Sequence, residues 1–154
     1  MEMTHKQSRL HYIQLAIMTA LSFVAMYFLM YAMVDRLANV YSSFNEVYMA
    51  GLMTAPMVLI ELVVMRAVYQ DRRLNMAIGA AALVVGIAFF LFIRAQTAVG
   101  DAQFLRSMIP HHASAILMCR NASISDPEIK SLCSGIIRGQ QHEIDQMKRI
   151  LERE

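Results

Sequence analysis

Three long apolar runs fill the first part of the chain, and amphipathic periodicity replaces them near its end. Residues 12–34 carry no charge over 23 positions, residues 74–93 none over 20, and residues 47–65 only Glu61 in 19. A bilayer core takes about 20 apolar residues in a helix, so each run is long enough to cross, the second extending to about residue 68. Beyond residue 94 the pattern changes. Asp101 opens a stretch of helical spacing to about Asn121, inside which Pro110 predicts a bend or a restart. Ser125-Asp126-Pro127-Glu128 has capping-box spacing with an early proline and predicts a second helix to about Glu152. On that helix Ile129, Leu132, Cys133, Ile136, Ile137, Ile144, Met147 and Leu151 form one stripe, interrupted mainly by Gln140. The expected fold class is an all-α membrane protein: a cytoplasmic segment 1–11, a three-helix transmembrane region 12–93, and an extracytoplasmic helical hairpin 94–154.

Composition strengthens that division. Of 154 residues, 57% are hydrophobic and 17% charged, with a mean hydropathy of +0.42, a balance hard to fit into one small soluble domain. Residues 1–93 hold 11 of the 26 Asp, Glu, Lys and Arg, and the shorter 94–154 holds the other 15. A net charge of +2 without a basic run argues against nucleic-acid binding, and no Gly-rich phosphate loop or GxSxG element occurs. No Ser, Cys or Asp is evidently paired with a His as an activated nucleophile, so no enzymatic turnover is expected.

Charge also orients the spans. Lys6, Arg9, Arg66, Arg72 and Arg73 fall on one side of the bilayer and Arg36 and Arg94 near the other, which puts the N-terminus in the cytoplasm and the hairpin outside. The first run is too long for a signal-peptide core and is read as a retained span. The expected location is a bacterial cytoplasmic membrane with the hairpin in the periplasm. Tyr12, Tyr31, Tyr41, Tyr48 and Tyr69 lie at or near span ends, as amphipathic rings do.

The candidate chemistry begins with 14 methionines. Met49, Met53, Met57, Glu61 and Met65 follow an i, i+4 ladder, and Met26, Met30 and Met33 another stripe. Met30, Met33, Met49, Met53, Met57 and Glu61 fit either helix packing or a membrane path of soft donors for Cu(I) or Ag(I). Glu61 is an intramembrane carboxylate that either serves a site or pairs with Arg66 or Arg72 near the interface. On the outer hairpin Met108, His111, His112 and Met118 recur at i+3, i+4 and i+7, with Cys119 beside them, and the second helix offers Gln140, His142, Glu143 and Met147. Imidazole with thioether suits Cu(I), and imidazole with carboxylate also accepts Cu(II) or Zn. Neighbouring helical residues diverge by about 100°, so His111 and His112 are not expected to bind one ion together unless Pro110 distorts the turn. Cys119 and Cys133 fit either free thiols or a disulfide.

The stretch from Phe104 to Leu151 resembles the ferritin-like family known as domain of unknown function 305, marked by M-x-x-H-H-x-x-A-I-x-M and then Q-x-x-E-I-x-x-M. Here these read Met108, His111, His112, Ala115, Ile116 and Met118, then Gln140, Glu143, Ile144 and Met147. The resemblance implies a helical bundle outside the cytoplasmic membrane and copper or silver binding through Met and His. It points to Met108, His111, His112, Met118 and Met147, with Glu143 as ligand or support and Gln140 as an orienting hydrogen-bonder. Many members carry the hairpin twice, whereas this chain carries it once, so a four-helix bundle would require self-association. Two helices in about 60 residues also bury too little surface to be stable without a staple, a metal or a partner. The Glu-x-x-His pairs of di-iron bundles are absent, against oxidase chemistry. The expected function is sequestration or handover of Cu(I), with Ag(I) or Cu(II) as further cargo. A copper-transporting oligomer and a metal-free assembly protein are the alternatives.

Overall fold

The computed structural model describes residues 5–154, with side chains from residue 9 onward. Met1 and Met3, and the side chain of Lys6 on which part of the charge argument stood, lie outside it. Five α-helices and two 3-10 turns, with no strand, make up the described residues. They are α1 (His5–Leu29), 3-10 turns at Met30–Met33 and Leu37–Asn39, α2 (Phe44–Val64), α3 (Arg72–Ala95), α4 (Asp101–Asn121) and α5 (Pro127–Leu151). The chain divides into two compact units. One holds α1 and Val47–Thr97, the other Met30–Glu46 and Ala98–Glu154.

Arg9–Met33, Phe44–Val64 and Arg72–Ala95, which supply most of the first unit, are the three stretches long and apolar enough to cross a membrane. Leu21, Phe28, Val63 and Val84 are between 65% and 71% exposed, a display of apolar surface that water does not tolerate and lipid does. The helices meet around Leu15, Val58, Leu62 and Tyr69. Gly86 permits close approach of α3 to α2, since a Cβ there would lie 3.1 Å from that of Ala55. Asp71 caps α3 by accepting from the amides of Arg73 and Leu74. The Tyr12 hydroxyl lies 2.7 Å from Asn75 Oδ1, and its ring packs on Tyr69 at 5.4 Å between centroids. Glu61 is held by the Tyr69 hydroxyl at 3.3 Å, a neutral partner in place of the expected Arg66 or Arg72. Tyr69 is buried in the helix packing, whereas Arg66 and Arg72 are exposed.

The second unit is the hairpin and what closes it. Leu105, Ile109, Ala113 and Ile116 from α4 meet Ile144 and Met147 from α5 in one buried cluster. Pro110 is buried, and α4 runs through it without a restart. The Ser114 hydroxyl donates to the Pro110 carbonyl across the following turn. Asp101 lies in the first turn of α4 rather than capping it, Gly100 holding the cap position. The cap of α5 is Asp126, whose Oδ1 accepts from Glu128 and Ile129 amides at 2.7 and 3.2 Å. Ser125 precedes the cap, so the capping-box register is one residue early. Proline then occupies the first turn, where its missing N–H costs nothing.

A third element was not foreseen. The segment linking the first two apolar runs packs on the hairpin: Val34 and Tyr41 lie against the buried cluster. Asn39 is 1% exposed, and its Oδ1 accepts from Lys148 Nζ at 2.6 Å. Arg36 reaches Gln141 at 3.0 Å, and Asp35 pairs with Arg120 at 3.5 Å. At its far end the Ser43 hydroxyl donates to Glu46, a Ser-x-x-Glu pair at the start of α2. A disulfide joins Cys119 to Cys133, so the hairpin has both a staple and an intrachain partner. Both add to what holds the hairpin closed within one chain.

Candidate metal centre

The Cys119–Cys133 bridge and a contact between His112 and Glu143 fix α4 and α5 antiparallel. In that register Met108, one turn before His112, and Met147, one turn after Glu143, fall in one seam. Met147 is in the buried cluster and Met108 packs against it. Gln140 is half-buried one turn before Glu143. The family motif residues Met108, His112, Gln140, Glu143 and Met147 therefore share a face of the hairpin, which the spacing of each helix dictates.

The chemistry of the seam is set by His112. Its Nδ1 lies 2.8 Å from the Met108 carbonyl oxygen, which only accepts, so Nδ1 carries the hydrogen. In the neutral ring this leaves a lone pair on Nε2, and Nε2 lies 2.8 Å from Glu143 Oε2. Fixing a histidine tautomer through a backbone carbonyl is how metal-binding imidazoles are commonly oriented. A hydrogen on Nε2 makes this contact a bond to the carboxylate, and a metal ion would take the hydrogen's place. The side chain of His112 is 12% exposed and that of Glu143 52%, so the pair opens to solvent on the Glu143 side.

The other proposed ligands lie elsewhere. His111 is exposed, its ring centroid 6.2 Å from that of His112, and Met118 is exposed seven residues further along the same helix face. His142 is exposed, about 100° around α5 from Glu143. Cys119, a possible soft ligand, is consumed by its disulfide. Among the described residues no three His, Cys, Asp or Glu side chains converge, so any fuller donor set in this seam draws on thioethers. The membrane methionines divide too. Met30 and Met33 leave the helix for a 3-10 turn in the hairpin unit, while on α2 Met49 and Met53 are 37% and 45% exposed, Met57 and Glu61 are half-buried, and Met65 lies just past its end.

Sequence reasoning missed the residues that brace the hairpin: Arg36 and Asn39 against α5, and Asp35 against Arg120 of α4. Asp35 is 2% exposed at its side chain. Burial pushes its carboxyl up, but hydrogen bonds from Asn39 and Arg36 and the charges of Arg36 and Arg120 outweigh this and hold it below the ordinary value. The one signal was the i, i+4 spacing of Asp35 and Asn39 in an otherwise apolar neighbourhood.

Residues 92–152 match the family model described as Domain of unknown function (DUF305). The chain is also similar to a mimivirus protein, "Uncharacterized protein L153" of Acanthamoeba polyphaga mimivirus. The two are 33% identical over 144 residues, covering 88% of this chain and 90% of the relative. That coverage extends well beyond the hairpin into the apolar runs. No solved structure matches. With the motif seam, the family match and a relative similar over nearly its whole length, the chain belongs to the DUF305 family.

Proposed function

We propose that this protein is a membrane-anchored copper-binding protein that holds Cu(I), or Ag(I), in the seam of its hairpin and hands it on without turnover. The observation that carries this reading is the orientation of His112, whose Nδ1 is held at the Met108 carbonyl and whose Nε2 faces Glu143 at 2.8 Å, while the thioethers of Met108 and Met147 belong to the same packed core. Imidazole and thioether are donors matched to a soft monovalent ion, and Glu143 serves as a charged neighbour or exchangeable ligand. His111, His142 and Met118, all exposed, are positioned to meet an ion before or after it occupies the seam. The spans anchor the hairpin, and the disulfide supports placing it in an oxidising compartment outside the cytoplasm.

A metal ion binds the deprotonated forms of imidazole and carboxylate, so uptake in the seam weakens as pH falls. The test is competition of the detergent-solubilised full chain against a chromophoric Cu(I) chelator, with parallel titrations of Ag(I), Cu(II) and Zn. Tight binding of Cu(I) and Ag(I) over Zn supports the reading. Failure to compete for either monovalent ion overturns it.

A further inference from the structure

The disulfide closes the seam about two helical turns from His112, and its surroundings differ from those of a buried staple. Cys119 and Cys133 are both only half-buried. Met118, Ile129 and Leu132, their neighbours on the two helices, are 52%, 47% and 62% exposed. The loop 122–126 and the first turn of α5 are exposed apart from a half-buried Ile124. The bridge therefore sits near the exposed loop end of the hairpin, inside an apolar rim and within reach of an attacking thiolate. Closure of the hairpin does not depend on it alone, because Asn39–Lys148, Arg36–Gln141 and the cluster around Ile109 and Ile144 hold the helices elsewhere.

We propose that Cys119 and Cys133 form a second, redox-gated site for a soft monovalent ion, masked in the disulfide and opened by a dithiol. One thiolate of the dithiol attacks a sulfur of the bridge, forming a mixed disulfide and releasing the other cysteine as thiolate. The second thiol of the dithiol then displaces the remaining cysteine. The dithiol leaves oxidised to a disulfide, and its two electrons and two protons reside on Cys119 and Cys133 as thiols. The Cα atoms stand 5.2 Å apart on facing helices, so both sulfurs point into one gap, and binding of Cu(I) or Ag(I), with the two thiol protons released to water, gives a two-thiolate site. This site is independent of His112 and Glu143. Its capacity follows the redox state of the surroundings, whereas that of the seam does not.

The experiment uses the full chain in detergent micelles. Ag(I) bound per chain is counted for the oxidised protein and for protein reduced with dithiothreitol and desalted under anaerobic conditions, each with His112 intact and as His112→Ala. The proposal expects one additional equivalent on reduction in both backgrounds, with ultraviolet thiolate-to-silver absorption, and its loss in Cys119→Ser and in Cys133→Ser. Helical circular dichroism is to stay unchanged on reduction. An equal count before and after reduction, with two free thiols titrated, overturns it, as does loss of helicity on reduction. Loss of binding in oxidised His112→Ala bears only on the seam.

Discussion

At His112 the two ring nitrogens have separate tasks: Nδ1 is spent on the Met108 carbonyl, and Nε2 is presented to Glu143. That separation predicts unequal effects of neighbouring substitutions. His112→Ala should abolish tight Cu(I) binding, Glu143→Gln should weaken it about ten- to hundredfold, as removal of an ion's supporting contacts does, and His111→Ala should leave it unchanged, all measured by chelator competition. Equal losses at His111 and His112 would contradict the orientation described. Asp35 carries a second residue-scale prediction. Its carboxyl is held below its ordinary value of 3.8, so the stability it contributes is fully present above that value and is lost as pH falls beneath it. Thermal unfolding of the wild type should show a destabilisation in that acid range that Asp35→Asn, already less stable at neutral pH, largely lacks.

At the scale of elements, α5 depends on its start. Asp126 accepts two backbone amides, and Asp126→Ala should cost about 1 kcal/mol in the unfolding of the hairpin, while Ser125→Ala should cost little. The Cys119–Cys133 bridge spans 14 residues, and closing a loop of that size is worth about 3 kcal/mol in the chain-entropy view. Both are measurable as shifts in thermal midpoint. The helices were legible in the sequence because charge-free runs and a 3.6-residue stripe are local signals. The cap of α5 was read one residue early because Ser125 and Asp126 are both good caps and spacing alone favours the serine. The unbroken passage of α4 through Pro110 was not legible either, since burial and the Ser114 bond to its carbonyl are properties of packing.

For the whole molecule, the least legible feature was the use of the segment between the first two spans. Asp35, Asn39 and Tyr41 read as a connection, yet they cover the hairpin through partners over 80 residues away, Arg120 and Lys148 among them. No local period encodes such contacts. The site was half legible: spacing and family resemblance named Met108, His112, Glu143 and Met147, but could not separate them from His111, His142 and Met118. The structure places Met108, His112, Glu143 and Met147 in one seam, with His111, His142 and Met118 exposed outside it. The account accordingly turns on which atoms hold the ion. X-ray absorption at the copper edge of the Cu(I)-loaded, disulfide-intact full chain tests this most directly. An imidazole nitrogen together with thioether sulfur, the nitrogen lost in His112→Ala and retained in His111→Ala, is the predicted result. A spectrum unchanged by His112→Ala would contradict it.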